Sequence, residues 1–154
     1  MKTQIKTHLR WMVRRDMPEV FAIEAVSFSN PWSEDDFFQV LRARTYMGMV
    51  AEHVDQVVGF MIYELSKDRI EVSNFAVPPE MRRCRIGTQM VRKLIGRLSP
   101  QRRTKLSLQV RESNLSAQLF FQSQGFRAVS ILHEYYDCED PPEDAYVMEK
   151  LSEP

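Results

Sequence analysis

Residues 77–88 read Val77-Pro78-Pro79-Glu80-Met81-Arg82-Arg83-Cys84-Arg85-Ile86-Gly87-Thr88. The apolar run Ile70–Val77 precedes them and an apolar-periodic segment follows, so the stretch predicts a strand, a short basic loop and the start of a helix. The first turn of a helix presents free backbone N–H groups and a positive dipole end, and Gly87 lets the chain approach a ligand closely. Arg82, Arg83 and Arg85 add forked donors that suit phosphate oxygens. The stretch therefore indicates an anion site, with an ordinary exposed turn as the open alternative.

Length and composition limit the class of protein. A chain of 154 residues is long enough for one core and short for two, so a single domain over residues 1–154 is expected. No run approaches the roughly 20 apolar residues of a membrane helix, and the start of the chain lacks the apolar region of a signal peptide. Cys84 and Cys138 lie far apart and form no Cys-x-x-Cys pair. These features predict a cytoplasmic protein without a disulfide framework, a metal site or a membrane partner.

The charges balance overall but are segregated along the chain. The sequence has 21 basic and 21 acidic residues, yet nine Lys/Arg and no acid lie between Arg82 and Lys105, and six acids and no base between Glu134 and Asp144. A balanced total argues against a nucleic-acid-coating protein. A local anion site and a local cation-attracting edge both stay open, and two solvated faces of opposite sign are the simplest interpretation.

Hydrophobic periodicity assigns the remaining elements. Helices are predicted at Met17–Phe28, from the cap at Ser33 through Leu41, at Thr88–Leu98 and at Asn114–Gln124. Strands are predicted at Leu9–Val13, Tyr46–Glu52, Val57–Leu65, Ile70–Val77, Leu106–Val110, Phe126–Leu132 and Ala145–Leu151. The order β-α-α-β-β-β-α-β-α-β-β mixes hairpins with crossovers, which predicts a mixed α/β fold with helices on both faces of a mixed sheet.

Local signals refine the helix ends and faces. Asp16 is expected to cap the first helix, and Ser33 with Asp36 forms an approximate capping box for the second. In the fourth helix, Leu115 and Leu119 are expected to face inward together with Phe120. Gly125 is expected to end that helix in the left-handed conformation.

The basic loop resembles the pyrophosphate loop of the GNAT superfamily of acetyl-CoA-dependent N-acetyltransferases, whose pattern is Gln/Arg-x-x-Gly-x-Gly/Ala. Arg82 matches the first position and Gly87 the last, whereas Arg85 replaces the middle glycine. An arginine would be strained there if the position required φ > 0, and with a negative φ its amide would still serve. Downstream, Leu108–Asn114 and Phe121–Phe126 resemble the family's Val-x-x-x-Asn and Leu-Tyr-x-x-x-Gly-Phe segments.

Within the superfamily, two further stretches resemble the RimI-type protein N-terminal acetyltransferases. Residues 28–34 are similar to their Phe-Pro-Trp-Ser-Glu turn, and Tyr135-Tyr136 with the acidic loop and Asp144–Met148 is similar to their C-terminal hairpin. The resemblance implies a GNAT fold, with a twisted, mixed, mostly antiparallel sheet of about seven strands and about four flanking helices. It also implies acetyl-CoA as cofactor and a protein or peptide N-terminus as acceptor, in a monomer or homodimer.

The resemblance assigns a cofactor-binding set. Backbone groups near Phe75–Val77 would orient the thioester, the basic loop would hold the pyrophosphate, and Asn114 would contact the pantetheine arm. The whole implied set is Phe75, Ala76, Val77, Arg82, Arg83, Cys84, Arg85, Ile86, Gly87, Thr88, Asn114 and Phe121.

The catalytic groups depart from the family pattern. The resemblance places a Glu or His where this chain has Gln109 and a Tyr where it has Phe121, and neither an amide nor a phenyl ring can exchange the required proton. Glu71 is the candidate replacement base, because it lies on a predicted core strand and resembles the general-base Glu of the histone acetyltransferases. The open alternative is that Glu71 pairs with Arg69, Arg44 or another exposed base.

Tyr136 is the candidate general acid, with substrate contact or aromatic packing as its alternative. Because the pKa of a thiol is about 8.5, water alone can also serve the departing thiolate. Trp32, Tyr135 and Gln109 are the candidate substrate-binding residues, and for Trp32 packing between the first two helices is equally open. Acetylation of a small-molecule amine and a non-catalytic acyl-CoA-binding module remain as rival functions.

Overall fold

The computed structural model describes residues 4–154. In that part of the chain, seven β-strands and four α-helices follow one another in the predicted order. The helices are α1 Met17–Ser27, α2 Glu34–Arg42, α3 Ile86–Ile95 and α4 Leu115–Ser123. The strands are β1 His8–Trp11, β2 Tyr46–His53, β3 Gln56–Leu65, β4 Arg69–Ala76, β5 Lys105–Arg111, β6 Arg127–Tyr136 and β7 Glu143–Leu151. Short 3₁₀ turns lie at Arg14–Asp16 and Pro79–Met81.

The strands form a mixed sheet in the order β1-β2-β3-β4-β5-β7-β6. The pairs β1–β2, β2–β3, β5–β7 and β6–β7 are antiparallel, whereas β4 and β5 are parallel over the three pairs from Arg69↔Lys105 to Glu71↔Ser107. The predicted fold class, a mixed and mostly antiparallel sheet with four helices, is confirmed.

The chain divides into two compact units, and β4 contributes residues to each. The first unit contains the residues up to Leu65 together with Ser73–Lys93. Its core is built around the ring of Phe37, whose centroid lies 5.5 Å from that of Phe21, 5.2 Å from that of Trp32 and 5.8 Å from that of Phe60. The buried side chains of this core are Met17, Val20, Ile23, Phe37, Val50, Val57, Phe60, Ile62 and Ala76.

The second unit contains Ser66–Val72 and Leu94–Pro154. Strand β5 is its centre, because it pairs with β4 on one side and with β7 on the other. Apolar side chains of β5, β7 and the α4 region are buried: Leu106, Leu108, Val110, Phe121, Phe126, Ala145 and Met148. A predominantly apolar, close-packed centre of this kind fixes the register of the strands that carry the polar groups described below.

The predicted inward face of α4 is wrong. Leu115 and Leu119 are 62% and 55% exposed, whereas Phe121 is buried and its ring centroid lies 5.3 Å from that of Phe126. Leu115 and Leu119 are four residues apart and share one helix face, and Phe121 projects from the opposite side. The aromatic side faces the core because its rings bury more apolar surface than the two leucines would.

The cap predicted for α1 is also wrong, whereas the capping box of α2 is confirmed. Asp16 has a helical backbone and its side chain makes no capping hydrogen bond to α1. Its carboxylate instead accepts hydrogen bonds from the Val13 N–H, at the start of the preceding 3₁₀ turn, at 2.8 Å and from the Arg10 guanidinium at 2.8 and 2.9 Å. At α2, Ser33 Oγ accepts from the Asp36 N–H at 3.1 Å, and the Ser33 N–H donates to Asp36 Oδ2 at 2.9 Å.

The turns follow the sequence signals closely. The predicted hairpin between β2 and β3 is present, with Val54 and Asp55 at φ of 49° and 61°, the left-handed pair that a two-residue turn requires. Gly125 has φ of 94° and ends α4 as predicted. None of the helices in residues 4–154 has the length and apolar character that crossing a membrane would need.

Candidate active site

The loop between the 3₁₀ turn and α3 contains two arginines in the left-handed conformation. Arg83 has φ of 66° and Arg85 has φ of 63°. The question left open by the sequence is therefore answered: the position at which the family pattern has glycine does require a positive φ, and Arg85 adopts it. For a non-glycine residue this conformation costs about 1 kcal/mol. Left-handed residues in a loop can turn neighbouring backbone N–H groups toward one side, which is a common anion-binding geometry.

The loop also presents hydrogen-bond donors. Helix α3 begins at Ile86, and in residues 4–154 no backbone carbonyl accepts a hydrogen bond from the N–H of Ile86 or Gly87, as expected for a first turn. Arg83 and Arg85 are exposed and form no ion pair with any carboxylate of the described chain. Two guanidinium groups and the start of α3 are thus available to an anion.

Arg82 differs from its neighbours. Its Nε donates a hydrogen bond at 3.2 Å to the carbonyl of Val77, the residue that follows β4. This bond closes the loop on itself across five residues. At the C-terminal end of β4, Phe75 is half-buried and Ala76 is buried. The segment predicted to orient the thioester is therefore largely shielded from solvent.

In the second unit, Glu71 and Gln109 are hydrogen-bonded to each other. Gln109 Nε2 on β5 donates to Glu71 Oε1 on β4 at 3.0 Å, and both side chains are half-buried. Neither alternative partner of Glu71 binds it, because Arg69 faces Asp68 at 3.6 Å and Arg44 forms no ion pair in the described chain. A carboxylate that accepts one amide N–H keeps a second oxygen for a proton.

Arg111, at the end of β5, connects the hairpin of β6 and β7. Its Nη1 lies 2.8 Å from Glu139 Oε2 and 3.3 Å from Glu143 Oε2, and its guanidinium carbon lies 3.8 Å from the ring centroid of Tyr136. Burial raises the pKa of the Tyr136 phenol, and the opposing charge of Arg111 does not cancel that effect. The phenol is therefore protonated at neutral pH and able to donate.

The structure brings some predicted site residues together and separates others. Tyr135 is half exposed, and its ring stands edge-on to Tyr136 with centroids 5.1 Å apart. No hydrogen bond joins the Glu71 carboxylate to Tyr136 among the residues described. Asn114 caps α4, since its Oδ1 accepts from the Ala117 N–H at 3.0 Å. Phe121 packs in the core, as described above.

A buried carboxylate in the first unit was missed by the sequence analysis. Glu24 Oε2 accepts the Trp32 backbone N–H at 2.8 Å, and Glu24 Oε1 accepts from Asn74 Nδ2 on β4 at 2.9 Å. Burial raises the pKa of Glu24, against the two hydrogen bonds. Glu24 therefore ties the turn that carries Trp32 to β4. The available signal was an acid between Ile23 and Ala25 inside an apolar helical stripe.

Trp32 itself is half-buried and packs edge-on against Phe37, so packing between α1 and α2 accounts for much of its surface. Within residues 4–154, no group of three or more His, Cys, Asp or Glu side chains could hold a metal ion.

Comparison with known proteins identifies the family. The acetyltransferase (GNAT) family model matches residues 17–126. The [ribosomal protein bS18]-alanine N-acetyltransferase of Salmonella typhimurium is 32% identical over 133 residues, which are 86% of this chain and 89% of that protein. The crystal structure of the ribosomal-protein-S18-alanine N-acetyltransferase from Escherichia coli superposes with a TM-score of 0.86 at 27% identity, over 97% of this chain and 96% of the other.

A more distant likeness concerns the fold alone. Arabidopsis thaliana NAA60, crystallised with acetyl-CoA, superposes with a TM-score of 0.80 at 15% identity, over 95% of this chain and 98% of that one. Because the family model spans most of the sequence and the Salmonella relative aligns over 86% of it, this chain belongs to the acetyltransferase (GNAT) family.

Proposed function

We propose that this chain transfers the acetyl group of acetyl-CoA to the N-terminal α-amino group of a protein, by direct attack of the amine within a ternary complex. The bacterial relatives that align over most of its length are named for acetylating the alanine of ribosomal protein bS18, which supports a protein acceptor. The observation on which the proposal rests is the hydrogen bond that the Gln109 amide donates to the Glu71 carboxylate. A half-buried carboxylate held by a neutral amide, and by no cation of the described chain, is available as a base.

The basic loop fits a diphosphate. Arg83 and Arg85 supply two guanidinium groups that pair with no carboxylate of residues 4–154, and the first turn of α3 at Ile86 and Gly87 supplies N–H donors and a positive dipole end. We assign the pyrophosphate of the cofactor to this loop and its pantetheine arm to Asn114. When bound, acetyl-CoA supplies an activated thioester; the protein's part is to bind it, orient it and move protons.

The proposed transfer balances as follows. The amine nitrogen of the acceptor bonds to the acetyl carbon, the carbon–sulfur bond breaks, and the electron pair leaves with the sulfur. Glu71 takes the proton that the amine loses. Tyr136, protonated because burial raises its pKa, gives a proton to the departing thiolate. Backbone groups near Phe75–Val77 hold the acetyl group in line for the attack.

We assign two aromatic side chains to the acceptor. Tyr135 offers an exposed ring, and Trp32 lies on a turn fixed by Glu24, so both suit contact with a peptide N-terminus. The one-domain organisation over residues 1–154, a cytoplasmic location and a monomeric or homodimeric state stay predictions from the sequence.

The test is acetyl transfer by the purified protein. Acetyl-CoA is supplied with peptides that begin with alanine and other residues, the same peptides with a blocked N-terminus, and small primary amines. Free CoA and the mass of each acceptor are measured. We expect acetylation of free N-termini, with no reaction of blocked ones. Turnover of small amines alone would favour the small-molecule alternative, and CoA binding without turnover would favour the non-catalytic one.

The matched variants are Glu71→Gln and Glu64→Gln. Glu64 on β3 also accepts a neutral hydrogen bond, from Thr45 Oγ1 at 3.2 Å, but has no proposed role. Removing a general base costs about 100-fold or more, so Glu71→Gln should lower kcat by that factor while Glu64→Gln leaves it unchanged. An unchanged kcat for Glu71→Gln would exclude Glu71 as the base even if acetyl transfer is observed.

A further inference from the structure

A short N-terminal segment is hydrogen-bonded to the basic loop, and residues 5–7 are called the strap here. The Ile5 N–H donates to the carbonyl of Cys84 at 3.1 Å. This contact joins residues 79 positions apart in the sequence, and it reaches the one residue that separates Arg83 from Arg85. The strap therefore contacts the loop at the middle of its strained part.

Gln89 on α3 holds the strap in place. Its Oε1 accepts hydrogen bonds from the Thr7 N–H at 3.0 Å and from Thr7 Oγ1 at 2.8 Å. Its Nε2 donates to the carbonyls of Ile5 and Arg85, the latter at 3.2 Å. One side chain, one turn into the helix, thus binds the strap on one side and the left-handed Arg85 on the other.

The loop needs such support. Two left-handed arginines cost about 1 kcal/mol each, and conformations of this kind persist only where the surrounding structure fixes them. The side chains of Cys84 and Ile86 are buried in the protein, which holds the loop at these two positions. The carbonyls of Cys84 and Arg85 are bound by Ile5 and Gln89, which fixes the backbone between the two strained residues.

We propose that Gln89 is a positioning residue for the cofactor: through the strap it keeps residues 83–85 in the conformation that presents their N–H groups to the pyrophosphate. The inference rests on the proposed role of the loop in cofactor binding. Gln89 acts through the backbone of the loop and contacts no reacting group. Its loss should therefore change the affinity for acetyl-CoA and leave the chemical step alone.

The first test is Gln89→Ala. Loss of these hydrogen bonds should raise the Kd for CoA and the KM for acetyl-CoA about tenfold, with kcat and the KM for the peptide unchanged. Thr7→Val, which removes only the hydroxyl donor, should give a smaller change of the same kind, about twofold to threefold. Gln39→Ala is the control, because Gln39 is also a helical glutamine that binds a side chain, Asp35 at 3.2 Å. Unchanged CoA affinity in both Gln89→Ala and Thr7→Val would overturn the proposal.

The second test separates positioning from a general loss of structure. Arg85→Gly relieves the strain at φ of 63°, so in that background Gln89→Ala should weaken CoA binding less than about threefold. An equal loss in both backgrounds would mean that Gln89 is merely structural. Arg83→Ala tests the underlying assignment: if it leaves CoA affinity unchanged, the loop does not hold the pyrophosphate. If it weakens binding while Gln89→Ala does not, only the positioning role is lost.

Discussion

Gln109 stands where the resemblance places a proton acceptor, and in this chain it donates instead of accepting. Its amide holds Glu71 Oε1 at 3.0 Å, across the parallel pair of β4 and β5. A long, flexible carboxylate loses rotational freedom on being held in one orientation, and the hydrogen bond favours that orientation before the acceptor arrives. Gln109, which departs from the family pattern, and Glu71, the candidate base, are thus linked by one hydrogen bond.

The pair can be tested by a double-mutant cycle. Gln109→Ala leaves Glu71 unsupported, so we expect kcat to fall about tenfold with the KM of both substrates unchanged. In the Glu71→Gln background the same change should alter kcat by less than about twofold, because the group it positions is gone. Steady-state kinetics of the four proteins measure the coupling. Equal losses in both backgrounds would show that Gln109 acts independently of Glu71.

Glu24 makes the stability of the fold depend on pH in a definite direction. Burial raises its pKa above the ordinary value of 4.5, so the folded protein favours the protonated carboxyl more than the unfolded chain does. This contribution to the free energy of unfolding is fully present at pH values below 4.5. It is lost as the pH rises through the raised pKa that Glu24 has in the folded protein.

Glu24→Gln removes this titration and keeps an oxygen for the Trp32 N–H. Relative to the unsubstituted protein, the unfolding free energy of the variant should therefore increase as the pH is raised from about 4 to 7. Urea unfolding at stepped pH measures the difference. A difference that is the same at every pH would contradict the raised pKa.

At the scale of elements, the hairpin of β6 and β7 depends on one residue of the neighbouring strand. β6 is irregular, with register shifts between Ala128 and Ser130 and between Leu132 and Tyr136, and Glu134 is left-handed with φ of 49°. Such irregularities weaken the ladder of backbone hydrogen bonds. Arg111 compensates by joining Glu139, Glu143 and the Tyr136 ring to β5.

Arg111→Ala should lower the free energy of unfolding by about 1–2 kcal/mol, since it removes two ion pairs and a cation–π contact. Arg111→Lys should recover less than half of that loss, because an ammonium lacks the planar fork. The control lies on the same strand: Lys105 is 3.9 Å from Glu149, and Lys105→Ala should cost less than about 0.5 kcal/mol. Chemical denaturation compares the three variants, and equal costs for Arg111→Ala and Lys105→Ala would refute this role.

The elements could be predicted because their signals are local. Alternation, periodicity and turn residues act within a few positions, so the order of strands and helices and the Ser33 box follow from neighbouring residues. The face of α4 could not be predicted in this way. Leu115 and Leu119 satisfy the helical period as well as Phe121 does, and only the partner ring of Phe126, outside the helix, decides between the two faces.

At the scale of the whole molecule, the motifs identify the basic loop and Glu71 as candidates, but the partners of these residues depend on tertiary structure. Glu71 and Gln109 are 38 residues apart, and Glu24 and Asn74 are 50 apart. Nothing in the sequence specifies these distances of about 3 Å, because they result from strand register and helix packing. The conformation of Arg85 was open for the same reason, since its carbonyl is bound by the side chain of Gln89 on α3 and the neighbouring Cys84 carbonyl by the distant Ile5 N–H.

The two thiols differ in a way that has a practical use. Cys84, within the basic loop, is only 4% exposed, whereas Cys138 is exposed in the turn between β6 and β7. A maleimide dye reacts with accessible thiols, so it should attach to Cys138 alone. The chain therefore offers a single fluorescent labelling point three residues from Tyr135, the tyrosine proposed to contact the acceptor, and peptide docking can be followed by emission without any engineered cysteine.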